Sequence, residues 1–259
     1  MVRTNAVKEK LAAGERVYGC FIQTSSPEIV EMIALAGFDF ALLDSEHGPL
    51  TAETTYRLIL AAEARGIDAF VRVGERERQT VLKFLDAGAS GIMTPQVGTA
   101  AEAASAIAGT KFATAGTRGL AGMRTFDFGM NGPLSDFVEP LNERVLNMIQ
   151  FEHVDTLREL DAMLALPGID VLFIGPSDLA QSLGLPGQPG HPDVTAVADE
   201  VVARCKAAGV KTGTVAYTPQ ILESVIARGF DMIVASANTF LAASAVAYMK
   251  SANNAGSGA

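Results

Sequence analysis

A (β/α)8 barrel, a ring of eight parallel strands alternating with helices, is the fold class that the sequence predicts. A signature of Gly, an apolar residue, often Asp, and then an apolar run recurs along the chain. Runs such as "DVLFIG" are continuously apolar, which is typical of parallel strands buried on both faces. The length of 259 residues is close to the roughly 250 residues of such barrels. A doubly wound open sheet is the alternative, but no GxGxxG follows the first strand.

Each repeat predicts one helix end and one strand, because Gly supplies the left-handed position that ends a helix. The eight strands are expected at 17–22 and 145–151 and within 36–44, 65–73, 87–95, 167–175, 207–215 and 228–236. Helices are expected at 27–36, 51–65, 77–87, 100–108, 155–164, 193–208, 218–228 and 238–250. We therefore predict one domain over residues 1–251. Residues 252–259 are small and polar, and we expect a disordered tail or a cloning remnant.

Composition excludes several classes of partner. The formal net charge is -9 without a basic patch, which argues against binding to nucleic acid or to an anionic membrane. No apolar run reaches transmembrane length, and the N-terminal stretch lacks the apolar core of a signal peptide. Cys20 and Cys205 stand in apolar or helical settings, so we expect buried free thiols. These features predict a cytoplasmic protein.

Polar side chains follow the predicted strands, at the end where barrels carry their chemistry. The stretch "LLDSEHGP" ends a strand with Asp44, Glu46 and His47. The other strand ends contribute Gln23, Thr24, Arg72, Thr94, Gln96, Gln150, Glu152, Ser177, Asp178, Thr214, Tyr217, Ser236 and Asn238. Strand starts are mostly Gly, Asp and Lys. This asymmetry indicates an active site at the C-terminal ends of the strands.

Glu152 and Asp178 end adjacent strands, so their carboxylates can meet across one pocket. Without a cation they would repel each other, and a hard divalent metal such as Mg²⁺ or Mn²⁺ resolves this repulsion. An ordinary helix N-cap or a salt bridge would explain both residues equally well. Ser177 and Asp178 are also expected near a helix N-terminus, where free N–H groups can hold a substrate carboxylate or merely be capped.

Arg72 and His47 suit chemistry at the same face. Arg72 can stabilise negative charge on an enolate or alkoxide, although a structural ion pair with Asp44 or Glu46 is the alternative. His47 suits a general base near neutral pH. Asp86 falls near the end of the third helix, on the wrong side of its own barrel. No lysine is predicted to enter the pocket from a strand end, although the place of Lys111 is open, so a metal is favoured over an imine.

Six stretches together resemble the HpcH/HpaI aldolases, in order along roughly residues 6–250. They are "LLDSEHGP", "FVRV", "FLDAGASGIMTPQV", "GTRG", "IQFE" and "LPGIDVLFIGPSDLAQSLG". The resemblance implies a class II, metal-dependent pyruvate aldolase, similar to 4-hydroxy-2-oxoheptanedioate and 2-dehydro-3-deoxyglucarate aldolases. It implies a barrel of the phosphoenolpyruvate/pyruvate-binding type whose last helix swaps between subunits of a hexamer, a trimer of dimers. Segment 119–144 matches no particular member, so the aldehyde stays open.

The resemblance also assigns roles to residues. It implies a divalent metal, Mg²⁺ or Mn²⁺ with Co²⁺ or Zn²⁺ as alternatives, held by Glu152 and Asp178. Gln150 would contact the 2-oxo acid or a metal-bound water, and the backbone around Ser177 and Asp178 would hold the carboxylate of the acid. Arg72 would stabilise the oxyanion. His47 would be the acid/base residue, paired with Asp86 of a neighbouring subunit. From its place at the strand end, we expect Asp44 to be a supporting group that bonds water or Arg72 rather than a metal ligand.

The expected reaction is reversible aldol cleavage of a 4-hydroxy-2-oxo acid to pyruvate, or a close 2-oxo acid, and an aldehyde, through a metal-bound enolate. Two alternatives stay open. The first is a related carbon–carbon lyase or a citrate-type synthase that uses oxaloacetate and a CoA thioester, for which Arg118 and Arg124 are the candidate basic residues. The second is a non-catalytic barrel that only binds a small acid or assembles.

Overall fold

Eight parallel strands close into a barrel in the predicted sequence order, which confirms the fold class. The computed structural model describes residues 2–256. Every strand pairs with its two neighbours in sequence, and the last pairs with the first. The strands are β1 (Val17–Ile22), β2 (Phe40–Asp44), β3 (Asp68–Arg72), β4 (Gly91–Thr94), β5 (Leu146–Phe151), β6 (Val171–Ile174), β7 (Lys211–Val215) and β8 (Met232–Ser236).

Helices surround this ring. They are α1 (Ala6–Ala12), α2 (Pro27–Leu35), α3 (Ala52–Ala64), α4 (Arg78–Ala87), α5 (Ala100–Thr110), α6 (Ser135–Arg144), α7 (Leu160–Leu164), α8 (Pro176–Ser182), α9 (Pro192–Ala208), α10 (Pro219–Ala227) and α11 (Ala237–Gly256). The helix predicted at 155–164 is instead a 3-10 helix (Val154–Arg158) followed by α7. Helices α1 and α6 were not predicted, because neither follows one of the repeated glycine and apolar-strand signatures. Helix α1 precedes the first strand, and α6 is an additional helix between α5 and β5.

The barrel interior is filled by large apolar side chains. The rings of Phe40 and Phe70 meet edge to face, with their centroids 5.2 Å apart. A Cβ on Gly19 would lie 2.1 Å from the ring of Phe40, and one on Gly213 would lie 2.5 Å from that of Phe173. Both glycines are therefore required by close packing across the interior. This interior packing leaves the chemistry to the strand ends.

Capping boxes begin the helices that flank the candidate site. The Thr51 hydroxyl accepts from the amide of Thr54 at the start of α3. At the start of α5, Thr99 accepts from the amide of Glu102, whose carboxylate accepts in return from the Thr99 amide. Such boxes satisfy N–H groups that have no partner within the helix, so they set where each helix begins. The loops between strand and helix are thereby held short and ordered.

Helix α11 differs from the other long helices, because most of it is exposed. It extends to Gly256, so residues 252–256 are helical, whereas the sequence predicts a disordered tail from residue 252. Residues 257–259 of that predicted tail lie outside the described residues. Several large apolar side chains on α11 are exposed. Leu241 is 68% exposed and Tyr248 is 75% exposed. Within residues 2–256, the structure has no helix of the length and apolarity that crossing a membrane requires.

Candidate active site

Asp44 and Arg72 face each other because of the strand register. They are paired residues at the C-terminal ends of β2 and β3. Arg72 Nε donates to Asp44 Oδ1 at 2.9 Å, and Nη2 donates to Oδ2 at 2.7 Å. Asp44 is fully buried and also accepts from Gln23 Nε2 at 2.9 Å. The guanidinium lies over the ring of Phe21, 4.6 Å from its centroid. The ion pair therefore locks Arg72 at the mouth of the barrel.

Opposing influences act on the pKa of Asp44. Burial raises it, but the hydrogen bonds and charge of Arg72, with help from Gln23 and the His47 amide, bring the pKa below its ordinary value. Asp44 is consequently an ionised carboxylate whose hydrogen-bonding capacity is taken up by protein groups. This agrees with a supporting role and disfavours Asp44 as a metal ligand.

Glu46 lies on the other side of the guanidinium. Its Oε2 is 3.3 Å from Arg72 Nε, but the single Nε hydrogen is directed at Asp44, so Oε2 is buried without a hydrogen bond. Burial raises the pKa of Glu46, and the charge of Arg72 only partly offsets this effect. Glu46 is thus an incompletely satisfied acid beside His47.

Gln150, Glu152 and Asp178 converge around Gly175, the residue between β6 and α8. A Cβ placed on Gly175 would lie 3.1 Å from Gln150 Nε2, 3.5 Å from Glu152 Cβ and 3.7 Å from Asp178 Oδ2. Gln150 Nε2 donates to Glu152 Oε2, and Gln150 Oε1 is buried without a partner. The predicted pair of carboxylates is therefore brought together, with an unused amide oxygen beside it.

Glu152 is held by the backbone of Gln96, whose N–H donates to Glu152 Oε1. Gln96 has a φ of 55°, an uncommon conformation for a residue other than glycine. Burial raises the pKa of Glu152 to about 7, and the negative charges of Asp178 and Glu46 add to the effect. These carboxylates therefore repel one another without a cation among them.

A cavity of about 740 Å³ opens at this end of the barrel. It is lined by Glu46, His47, Gln96, Val97, Gly98, Glu102, Glu152, His153, Thr156, Asp178, Gln181 and Ser182. Arg72 and Gln150 do not line the cavity themselves. Arg72 contacts the lining residue Glu46, and Gln150 donates a hydrogen bond to the lining residue Glu152. This cavity brings acids and an imidazole together, which is where chemistry can occur.

Two predicted site residues, Ser177 and Asp86, lie apart from this cavity, and so does Lys111, whose place the sequence left open. Ser177 and Asp178 lie in the first turn of α8, as predicted, directly after the N-cap Gly175 and Pro176. Ser177 is exposed and is not among the lining residues. Asp86 lies near the end of α4, away from its own cavity, and accepts from Arg118 Nη2 at 2.9 Å. Lys111 follows α5, where its Nζ donates to the carbonyl of Asn142. None of the residues that line the cavity is a lysine.

The sequence did not indicate Glu102, His153, Thr156, Gln181 and Ser182 as cavity residues. These residues lie on α5, on α8 and on the 3-10 helix after β5 with its N-cap His153, beyond the strand ends that the sequence search covered. His153 Nδ1 accepts from the Asp155 amide at 3.2 Å. The adjacent Glu152 was the available signal for His153, but spacing alone could not show which way the imidazole points.

The donor set is compatible with a divalent cation. Among residues 2–256 no group of three or more His, Cys, Asp or Glu side chains could hold a metal ion. The side chains of Glu152, Asp178 and Gln150 nevertheless meet around Gly175, and they carry two carboxylates and the unpartnered amide oxygen of Gln150. Mg²⁺ is commonly bound by one or two carboxylates and keeps several water or substrate ligands, so a smaller protein set suffices. The residues therefore fit a hard cation.

The fold and the site define a (β/α)8-barrel enzyme with its acidic pocket at the C-terminal ends of the strands. Residues 17–245 match the family described as HpcH/HpaI aldolase/citrate lyase, and the chain belongs to this family. The resemblance drawn from the six sequence stretches is thus confirmed, and with it a carbon–carbon lyase of the aldolase type.

Named relatives agree with this membership. The 2-keto-3-deoxy-L-rhamnonate aldolase of Klebsiella pneumoniae subsp. pneumoniae is 32% identical over 238 residues, which are 92% of this chain and 89% of the relative. A family protein from Burkholderia cenocepacia J2315 has a TM-score of 0.91 at 33% identity, covering 96% of this chain and 100% of that one. The citrate synthase SbnG has a TM-score of 0.87 at 27% identity, covering 96% and 98%.

Proposed function

We propose that this chain catalyses the reversible aldol cleavage of a 4-hydroxy-2-oxo acid to pyruvate and an aldehyde. The observation that carries the proposal is the convergence of Gln150, Glu152 and Asp178 around Gly175. Glu152 and Asp178 line one cavity with His47 and Glu46, and Arg72 lies directly behind Glu46. Aldol cleavage needs a group that takes the C4-hydroxyl proton and a site that stabilises charge on the oxygen at C2. The cavity offers both kinds of group.

Glu152 and Asp178, with the amide oxygen of Gln150, would hold a divalent cation. Mg²⁺ or Mn²⁺ bound there would supply a Lewis acid for the oxygens of the 2-oxo acid. The fit is supported by the unpartnered Gln150 Oε1 and by the raised pKa of Glu152. Co²⁺ and Zn²⁺ are the alternative ions. The short turn at Gly175 leaves room for substrate next to these side chains.

Arg72 stabilises the developing negative charge at C2. Asp44 accepts from Nε and from Nη2, which fixes the guanidinium plane and leaves its other N–H groups for the substrate oxygen. A donor that is already oriented does not have to reorganise when charge appears. Asp44 thus acts through Arg72 as a positioning residue.

His47 moves the proton. In cleavage it takes the proton of the C4 hydroxyl as the C3–C4 bond breaks and the aldehyde leaves, and C3 then gains a proton to give pyruvate. In its own subunit Asp86 is bonded to Arg118, away from the cavity, so we propose that it faces the cavity of a neighbouring subunit and supports His47 there. The backbone at Ser177 and Asp178 would hold the substrate carboxylate.

The assembly proposal is a hexamer, a trimer of dimers, with α11 exchanged between partners. An apolar groove of about 320 Å³ runs beside β1, β7 and β8 and is lined mainly by Tyr18, Phe38, Ala216, Leu222, Ile233 and Phe240. Helix α11 meanwhile exposes apolar side chains along its length. Mass photometry should find hexamers, and truncation after Ser236 should reduce them to smaller species. A monomeric full-length protein would contradict this proposal.

We place the reaction in the cytoplasm, because Cys20 and Cys205 are buried free thiols. A fractionation experiment that recovers the protein outside the cytoplasm would contradict this placement.

The alternative function is that of a citrate-type synthase, because the chain is similar in structure to the citrate synthase SbnG. A CoA thioester would need basic residues at the cavity mouth. Arg118 is buried against Asp86, and Arg124 pairs with Glu63 at the other end of the barrel. The described residues that line the cavity include neither lysine nor arginine. The two arginines that the sequence offered for a CoA site are thus engaged away from the cavity, which favours the aldolase.

The test supplies Mg²⁺ or Mn²⁺, pyruvate and a series of short aldehydes to the purified protein. We expect pyruvate to be consumed, EDTA to abolish turnover, and His47→Asn to lose at least about a hundredfold in rate. His191→Asn is the matched control, because His191 caps α9 outside the cavity and should retain activity. If no aldehyde gave metal-dependent turnover, or if oxaloacetate with a CoA thioester were the better pair, the proposal would be wrong.

A further inference from the structure

A second cavity lies at the N-terminal end of the barrel, opposite the active site. It has a volume of about 410 Å³. Its walls come from residues 2–3, the end of α3, the turn before β4, the segment 124–131 and the end of α6. Three arginines line it, namely Arg3, Arg124 and Arg144. All three are far along the chain from one another, so only the fold brings these cations together.

Two of these guanidiniums are incompletely satisfied. Arg3 Nη2 donates to the carbonyl of Ile67 at 2.8 Å, but Nη1 is buried without a hydrogen-bond partner. Arg144 Nη2 donates to Gly88 O at 3.1 Å and to Ser90 Oγ at 3.0 Å, but Nε is likewise unpartnered. The hydroxyl of Thr125, in the same wall, is a third buried group without a partner. Buried donors of this kind are costly unless something accepts from them.

The charge in the cavity walls is positive by one unit. Arg3, Arg124 and Arg144 stand against Glu63 and Asp127, which is three positive charges minus two negative. Glu63 is engaged by Arg124, whose Nη1 donates to Glu63 Oε1 at 3.0 Å. Burial lowers the pKa of Arg144, and although Asp68 and Glu63 counter this, Arg3 and Arg124 add to it. Asp68 is not one of the lining residues, so the residues that face the cavity keep a net charge of +1.

Five of the eight buried side-chain N and O atoms that lack a hydrogen-bond partner within residues 2–256 lie beside one of the two cavities. At the C-terminal end they are Glu46 Oε2 and Gln150 Oε1, where acids crowd together. At the N-terminal end they are the atoms of Arg3, Arg144 and Thr125, where cations crowd together. A bound cation would relieve the repulsion among the acids at the C-terminal end. A bound anion would relieve the repulsion among the arginines at the N-terminal end in the same way. Planar guanidinium groups are well matched to carboxylate and phosphate oxygens.

We propose that this N-terminal cavity binds a small oxyanion, the carboxylate or phosphate group of a metabolite. The site is independent of the proposed aldol reaction, since no residue is shared between the two cavities. It has room for a molecule of a few carbon atoms.

Isothermal titration of the whole protein with inorganic phosphate tests this site, with citrate as the carboxylate arm and chloride at matched ionic strength as the control. Arg3→Gln should weaken the binding of phosphate or citrate at least about fivefold, since it removes one charge-assisted donor. Glu63→Gln should strengthen binding, because it removes a negative charge from the wall. A purely structural role for these residues predicts no such opposite pair of effects.

Two control variants separate this site from others. Arg16→Gln removes an arginine bonded to the Phe230 carbonyl at the same end of the barrel but outside the cavity, and it should leave binding unchanged. Glu152→Gln should leave it unchanged as well, whereas loss of binding in that variant would assign the anion to the active site and overturn the proposal. Absence of any heat with phosphate and citrate, or equal effects of Arg3→Gln and Arg16→Gln, would also overturn it.

Discussion

Replacing Asp44 with Asn should be among the most damaging single substitutions outside the catalytic groups. Asp44 is fully buried and accepts five hydrogen bonds, from Arg72 Nε and Nη2, Gln23 Nε2, and the amides of Glu46 and His47. An Asn amide can accept at only one of its two positions, so at least one donor would face an NH₂ group. Arg72, which is 8% exposed, would keep only Glu46 as a charge partner.

Removing one partner of a buried ion pair costs about 3–5 kcal/mol in comparable cases. We therefore expect Asp44→Asn to lower the free energy of unfolding by about 3–5 kcal/mol. Urea unfolding at one fixed protein concentration measures the change, because assembly makes apparent stability depend on concentration. Glu53→Gln is the control. Its pair with Arg57 is exposed, with side chains that are 75% and 63% exposed, and should contribute about 0.5 kcal/mol or less.

The same pair predicts a pH dependence with a definite sign. The pKa of Asp44 is lowered in the folded protein, so folding favours its ionised form. The stabilisation should be fully present above the unfolded pKa of about 3.9 and should be lost as the pH falls through the folded value. The gap in stability between the natural protein and Asp44→Asn should narrow only in acid. A loss below about 1 kcal/mol near neutral pH would refute this account of the ion pair.

Two further predictions concern the oxygen donors for the cation. Gly175→Ala should weaken Mn²⁺ binding about tenfold, because the added Cβ would crowd Gln150 Nε2 at 3.1 Å and Asp178 Oδ2 at 3.7 Å. Gly190→Ala is the control and should bind Mn²⁺ normally, because a Cβ there would meet nothing within 4 Å. Equal Mn²⁺ affinities of the two variants would contradict the prediction. Gln96→Val should lower both stability, by about 1–2 kcal/mol, and Mn²⁺ affinity, because a β-branched residue resists the φ of 55° that aims the amide at Glu152. Gln96→Gly should preserve the affinity, and a Val variant that binds Mn²⁺ normally would show that this conformation does not matter.

Much of the fold was predictable because its causes are local and periodic. Continuous apolar runs predicted the strands, and Gly88 and Gly209 take the left-handed conformation that ends helices α4 and α9, with φ values of 114° and 76°. The same reading missed α1, α6 and the split before α7. These elements lie outside the repeated strand and helix pattern. Their boundaries depend on contacts with residues that are far away in the sequence.

The sequence by itself determined which residues stand at the strand ends, and therefore that His47, Arg72, Gln150, Glu152 and Asp178 belong to one face. Strand order and parallel pairing are enough for that conclusion. Only the tertiary structure decided how these groups share their hydrogen bonds, because register places Asp44 opposite Arg72 and a turn at Gly175 brings three oxygen-bearing side chains to one point. It also decided that Arg3, Arg124 and Arg144 meet at the other end of the barrel. Their spacing in the sequence could not predict this, because closure of the barrel is what brings their segments side by side.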